Sequence, residues 1–191
     1  MYRLSGLLRP GTDNRAIQDY STEPERTVMS KLLSETFEWL TDNAERADEK
    51  TLRTKRSDLE KLESPVILRF TEKQTRGKAV EDFQQAMFAA RAFFIEAHQN
   101  NTAAIGAAES ATPQKPVVPP KYTEEELKSV EELLKENEVW MDERMVVQVK
   151  LEEDLTSDPA IFTKDLDEKG KRLQMTVIEV RGLRTVADGI D

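Results

Sequence analysis

Residues 77–98 read GKAVEDFQQAMFAARAFFIEAH, and within them Val80, Phe83, Met87, Ala90, Phe94 and Ala97 recur at alternating steps of three and four. That spacing returns each apolar side chain to one face of an α-helix, while the intervening residues are polar enough to meet water on the other. A helix buried on one side needs partners, and the sequence on either side supplies them. Towards the N-terminus, Leu52, Leu59, Leu62 and Val66 step by seven, three and four towards Phe70, which predicts a separate long helix with Pro65 as the place for a bend. Before it, Ser21-Thr22-Glu23-Pro24-Glu25 offers a hydroxyl cap, a first-turn proline and carboxylates at the positive end of the helix dipole. Val28, Met29, Leu32, Leu33, Phe37, Trp39 and Leu40 are the expected buried stripe of the helix that starts there, and Thr41–Asp48 the polar turn after it. Tyr2, Leu4, Leu7 and Leu8 read as the last turns of an earlier helix stopped by Arg9–Asn14, so the chain is expected to begin mid-helix as a fragment.

Towards the C-terminus the composition shifts. From Gln99 to Lys121 Ala, Thr, Gly and Pro dominate, and Pro113, Pro116, Pro119 and Pro120 predict an extended linker. Helix returns where Thr123 precedes Glu124-Glu125-Glu126, with Leu127, Val130, Leu134, Asn137 and Met141 facing inward. Val147–Leu151 alternates with period two, yet continues a helical spacing and is read as helix. Asp158-Pro159 ends this region, and a final helix from Thr163 carries Leu166, Leu173, Val177 and Val180 before Gly182. The expected fold class is therefore all-α: a helical bundle over 1–98, a flexible linker over 99–121, a second helical segment over 122–187 packing on or beside the first, and a tail over 188–191. One internal echo stands out. Leu32–Trp39 and Leu133–Trp140 share a leucine pair, the following glutamate and the tryptophan, an arrangement that either chance likeness of two amphipathic helices or a duplicated helical hairpin produces.

Charge narrows the partners. Acidic residues outnumber basic ones 37 to 28, giving a net charge of −9, which repels a phosphate backbone or an anionic lipid surface. Neither nucleic acid nor membrane is an expected partner, and no run approaches the about 18 apolar residues that span a bilayer. Without cysteine there is no disulfide framework, thiolate metal site or cysteine nucleophile.

Few residues invite a chemical role. His98 is the only histidine and has no metal-ligating or triad partners nearby, so it reads as a helix-end surface residue. Asp165, Asp167 and Gly170 have EF-hand-like spacing, but Lys169 sits where an oxygen ligand belongs and Thr176 replaces the bidentate glutamate. Arg76-Gly77-Lys78 lacks the earlier glycine and the strand of a phosphate-binding loop. No catalytic, cofactor-binding or metal-ligating residue is expected, and the chain is read as a binding or regulatory module, not an enzyme. Asn100-Asn101-Thr102 is a glycosylation sequon, making Asn100 a candidate acceptor at the helix end entering the linker. Met141, Met145, Val146, Val147, Val149 and Leu151 present more apolar surface than one helix face needs. Core packing is the preferred reading of that surplus. A client or partner contact through Met141, Met145, Val146, Val149 and Leu151 is the alternative.

Glu38-Trp39-Leu40-Thr41-Asp42-Asn43, Lys55, Asp58-Leu59-Glu60-Lys61 and Ser64-Pro65-Val66-Ile67, with Tyr2-Arg3-Leu4-Ser5 before them, resemble the helical lid of the heat-shock-70 superfamily. The continuation through Tyr122 to Met175, including Trp140, Asp158-Pro159 and Ile161-Phe162-Thr163-Lys164-Asp165-Leu166, is similar to the large endoplasmic-reticulum members of the hypoxia-up-regulated or glucose-regulated type and their fungal relatives. The cytosolic heat-shock-110 group is the nearest competitor. The resemblance implies a lid-type bundle extended by a second helical hairpin, from a protein that binds ATP in a domain preceding these helices. It implies no cofactor in this segment, with unfolded polypeptide clients and a lumenal heat-shock-70 chaperone as partners. The endoplasmic-reticulum lumen is then the expected compartment and the cytoplasm the alternative, since Gly189-Ile190-Asp191 is not a lumenal retention signal. A helical adaptor or dimerisation module without client binding is the second functional reading.

Overall fold

A computed structural model describes residues 18–43, 45–109 and 119–182. Four helices are described: α1 Glu23–Asn43, α2 Glu49–Glu109, α3 Glu124–Lys150 and α4 Thr163–Gly182. No strand occurs among the described residues, so the fold class is all-α as the periodicity predicts. The N-terminal segment 1–17, residues 110–118 and the 188–191 tail lie outside the described residues.

Each start signal works as its chemistry requires. Thr22 and Glu25 close a reciprocal capping box: the Glu25 N–H donates to Thr22 Oγ1 at 3.4 Å, and the Thr22 N–H to Glu25 Oε2 at 2.7 Å. Asp48 Oδ1 accepts the Thr51 N–H at 2.7 Å to open α2. Thr123 and Glu126 form a second box, at 3.1 and 2.7 Å, for α3. Each satisfies N–H groups that a helix start leaves without partners.

The helices expected over 52–70 and 77–98 are one. α2 runs unbroken for 61 residues with Pro65 inside it, a length of about 90 Å at 1.5 Å per residue. Its buried positions form two stripes at helical spacing, Leu59, Glu63 and Val66 and then Glu72, Arg76, Ala79, Phe83, Ala86, Ala90, Phe93, Ala97 and Asn101, and the six-residue step between them changes face without breaking the helix. Thr71–Arg76 contain no breaker, and Gly77 adopts no left-handed backbone. α2 also passes through the first part of the expected linker, so 99–109 are helical rather than extended. The Ala103, Ala104, Ala107 and Ala108 positions there favour helix most strongly of all residues, and the prolines come only later.

The chain divides into two compact units: Met1–Thr75 with Val147–Ala160, and Arg76–Val146 with Ile161–Asp191. In the first, Met29 and Leu33 of α1 meet Leu59 and Val66 of α2, with Tyr20, Leu32, Phe37 and Leu62 packed beside them. Val28, expected inside, is exposed, and Trp39 and Leu40 are only half-buried. The stripe actually used is Met29, Leu33 and Thr36, and Val28 lies a third of a turn off it. Arg69 ties this unit together. Its Nη1 donates to the Tyr20 carbonyl at 3.1 Å and to both Glu25 oxygens at 3.1 and 3.2 Å, while Nε reaches Asp158 Oδ1 at 2.8 Å. The loop after α3 is thereby held to the start of α1, with Lys73 to Glu152 as a further pair.

In the second unit Phe83, Met87, Ala90, Phe93 and Ala97 of α2 share one core with Leu127, Val130, Leu133, Leu134 and Met141 of α3 and Leu166, Leu173 and Val180 of α4. All five residues expected on the inner face of α3 are buried, and α3 continues to Lys150, so Val147–Lys150 is helical. Gly170 marks where α4 lies against α2: a Cβ there meets Phe83 Cδ2 at 3.7 Å and the Ala86 Cβ at 3.9 Å. Trp140 packs edge-on against Phe83, with ring centroids 6.0 Å apart, and carries the Lys169 ammonium 4.8 Å from its own ring. Asn137 is the exception in this core. It is 1% exposed, and among the described residues neither its Oδ1 nor its Nδ2 has a hydrogen-bond partner.

Two stability measurements check this architecture. Gly77 is exposed and a Cβ there meets nothing within 4 Å, so Gly77→Ala is expected to stabilise the chain by about 0.5–1 kcal/mol in urea denaturation; destabilisation would show that α2 is broken at this point. Asn137→Leu is expected to add about 1–2 kcal/mol, because it removes a desolvated amide and keeps the volume; a loss of stability would mean the amide has a partner.

Candidate functional site

The five residues singled out as a contact surface separate into two groups. Met141 is 9% exposed and belongs to the core of the second unit, against which Met145 also packs half-buried. Val146 and Val149 are 59% and 67% exposed, and Leu151 is half-buried in the turn that follows α3. Core and surface thus alternate along this stretch, as an amphipathic helix requires when its outer face also carries valines. Val139, seven residues before Val146 and on the same side of α3, is exposed as well and escaped the sequence reading. So did Phe88, at 72% the most exposed large apolar side chain among the described residues, and Ile95, both on the face of α2 opposite the stripe that runs from Glu72 to Asn101. The signal was present for the α2 pair: Phe88 and Ile95 each stand five residues after a buried position, Phe83 and Ala90, which turns them about 140° from it.

Asn100 is exposed on α2, well before the end of that helix at Glu109. Its sequon is helical, with Thr102 Oγ1 donating back to the His98 carbonyl at 2.9 Å and the neighbouring Asn101 side chain bonded to Tyr122. His98 is exposed and stacks on Phe94 at 6.0 Å, one turn earlier. Lys78 pairs with Asp82 inside α2, so Arg76-Gly77-Lys78 is helix rather than phosphate-binding loop. Asp165, Asp167 and Gly170 all lie in α4, where Lys169 pairs with Glu136 at 3.4 Å.

The perturbed charges belong to caps, turns and ion pairs. Burial pushes the Glu25 carboxyl up, but the Thr22 N–H, the Thr22 hydroxyl and Arg69 outweigh it and leave the group below the usual carboxylate range. Burial likewise opposes the charge on Arg69, and Asp158 and Glu25 more than restore it. Asp154 is held down to about 2 by the hydroxyls of Ser157 and Thr156 and by the Thr156 N–H, which together form a polar turn in the loop between α3 and α4. Among the described residues no group of three or more acidic or histidine side chains is placed to hold a metal ion, and no helix is long and apolar enough to cross a membrane. A shallow depression of about 590 Å³ in the first unit is lined by one charged face of α2 from Glu49 to Lys61, where Arg53 pairs with Glu49 and Lys61 with Asp58. What this surface offers is association by apolar and ionic contact.

Replacing single residues separates the two groups on α3. Met141→Ser is expected to cost about 2–4 kcal/mol in urea denaturation, by lost burial and a desolvated hydroxyl. Val146→Ser and Val149→Ser should each stay within about 0.5 kcal/mol of the parent chain. A large loss at either valine would put it in the core.

Residues 102–179 match the family model described as HYOU1-like, C-terminal domain, a span that takes in the end of α2, all of α3 and most of α4. The 97 kDa heat shock protein of Strongylocentrotus purpuratus is 40% identical over 70 residues, covering 37% of this chain and 8% of that protein. The protein of the same description from Mesocentrotus franciscanus is 28% identical over 134 residues, covering 69% of this chain and 13% of its own length. The chain therefore spans about a tenth of the curated relatives it matches. No solved structure matches. These similarities support a C-terminal region of the heat-shock-110/HYOU1 type within the heat-shock-70 chaperones.

Proposed function

We propose that this chain works as the C-terminal helical module of a large heat-shock-70-like chaperone, holding unfolded polypeptide through apolar side chains on the outer face of its helices. The observation that carries this reading is the match of 102–179 to the HYOU1-like C-terminal domain. The chemistry agrees with it: Val139 and Val146 are more than half exposed on α3 of the second unit, and apolar side chains in water favour burial against whatever apolar segment a client presents. Such binding needs no cofactor and no chemical step, so ATP belongs to the rest of the parent protein. The lumen of the endoplasmic reticulum is the proposed setting, with a lumenal heat-shock-70 partner whose nucleotide exchange the parent protein supports, and the cytoplasm is the alternative setting.

A second reading has one observation in its favour. Phe88 and Ile95 lie seven residues apart on the outward face of α2, a spacing suited to a partner helix or a second copy of the chain. Sedimentation separates the two, since a defined dimer that Phe88→Ser dissolves supports the adaptor and a monomer the client-binding module.

Heat-aggregation of citrate synthase, followed by light scattering with the purified chain at equimolar amounts and no nucleotide, tests client binding. Suppression is expected, and Val139→Ser with Val146→Ser should at least halve it while the circular dichroism melt is unchanged. Aggregation that proceeds as without the chain would overturn the holding role.

A further inference from the structure

A cavity of about 290 Å³ lies wholly within the second unit, between the last part of α2, the residues leading into α3 and the last turn of α4. Phe93, Glu96 and Asn100 come from α2, Lys121 and Tyr122 from the approach to α3, and Arg181 from α4. The volume is at the small end of the range for ligand sites, so the occupant is a group or a short stretch of chain.

Its base is fixed. Phe93 and Tyr122 are 3% and 8% exposed and meet edge-to-face with centroids 5.4 Å apart. The buried Asn101 side chain holds the Tyr122 backbone at both ends: the Tyr122 N–H donates to Asn101 Oδ1 at 3.1 Å, and Asn101 Nδ2 donates to the Tyr122 carbonyl. On this base stand two cations from different elements. The Arg181 guanidinium is 4.7 Å from the centre of the Phe93 ring and the Lys121 ammonium 5.5 Å from that of Tyr122. Ring faces position both side chains without neutralising them. Among the described residues neither cation is paired with a carboxylate, although the chain carries 37 acidic residues.

We propose that this cavity is a carboxylate-recognition site, in which Arg181 and Lys121 take the side-chain carboxylate of an aspartate or glutamate on an extended partner peptide. The exposed Asn100 amide at the rim, with donors and an acceptor, serves the peptide backbone beside that residue. Glu96 sets the class of anion. Its own negative charge on the rim offsets one of the two cations, leaving a balance suited to a monoanion and unsuited to a phosphate dianion. The net charge of −9 opposes the approach of acidic chains at long range, so selectivity resides in the two-cation contact at short range. Glycosylation of Asn100 would block the rim, and the two uses of this residue exclude each other. This site reads one charged residue in a peptide, which goes beyond the apolar holding of clients proposed for α3.

The test uses the full chain, isotopically labelled, titrated with a nine-residue peptide of alanine, glycine and serine bearing one central glutamate, and with its glutamine twin. Amide signals of Asn100, Tyr122 and Arg181 are expected to shift with the glutamate peptide and to respond at least fivefold more weakly to the twin. Arg181→Gln and Lys121→Gln should each weaken binding at least threefold without moving the thermal melt, and Glu96→Gln should tighten it. Because Arg181 and Lys121 are exposed, these variants keep the fold. Equal binding of the two peptides, or indifference to both cation replacements, would overturn the site. A phosphoserine version binding more tightly than the glutamate peptide would overturn the carboxylate assignment. Citrate synthase aggregation measured on the same variants keeps the two proposals apart, since Arg181→Gln should leave suppression intact.

Discussion

The rest of the structure depends on α2, one unbroken helix that carries a buried stripe into the core of each unit. Leu59, Glu63 and Val66 form one buried stripe, and the positions from Glu72 to Asn101, at steps of three and four, form another; Leu59 and Val66 belong to the core of one unit, and Ala79, Phe83, Met87, Ala90, Phe93 and Ala97 to the core of the other. A helix so rich in Lys, Arg, Glu and Asp gains little from propensity alone, and an isolated helix of this kind is marginal in water. Its order comes from what α1, α3 and α4 bury against it. Pro65 shows how much that burial outweighs. It removes one backbone donor and costs roughly 3 kcal/mol in a helix interior, yet Val66 beside it is fully buried and the helix runs on.

Most of the fold was legible because the signals are local. Thr22 with Glu25 and Thr123 with Glu126 announce two helix starts in the sequence and form two capping boxes in space. Leu127, Val130, Leu134, Asn137 and Met141 are spaced for one face and are buried on it. The misreadings also have local causes. Treating Ala103–Ala108 as part of a Pro-rich linker averaged the strongest helix former with the strongest helix breaker, although the two occupy separate stretches. Dividing α2 near Thr71 gave weight to a gap in the apolar pattern that Glu72 and Arg76 fill as buried polar residues. Sequence hydropathy cannot find such positions, since it scores both residues as solvent-facing.

Sites are less legible than helices for the same reason. The apolar surplus over 141–151 was visible, but which members face water follows from the rotation of α3, which leaves Met141 inside and Val146 and Val149 outside. Nothing in the sequence brings Phe93, Lys121 and Arg181 together, because each belongs to a different element and only the packed core of the second unit places them around one cavity. Arg69 is the counterpart in the first unit. It is one arginine among many along α2, and its role follows from reaching the Tyr20 carbonyl, Glu25 and Asp158 at once.

The internal echo extends further in space than in sequence. The spacing that separates the two capping boxes also carries Met29 onto Val130, Leu33 onto Leu134 and Thr36 onto Asn137, and every one of these side chains is buried. It carries Trp39 onto Trp140 too, and each indole lies under a lysine of the next helix, Lys55 at 5.1 Å and Lys169 at 4.8 Å. If those lysines are matched, Leu59 falls on Leu173 and Val66 on Val180, again buried in both. A chance likeness between two amphipathic stripes reproduces apolar spacing, but has no reason to reproduce a reciprocal cap and a lysine over a tryptophan. One hairpin plan used twice accounts for all of it. The copies have diverged where their surroundings differ: Leu52 is 40% exposed and its counterpart Leu166 is 1% exposed. The polar pair diverges likewise, for the Thr36 hydroxyl donates to the Leu32 carbonyl at 2.7 Å, whereas the Asn137 amide is left without a partner among the described residues.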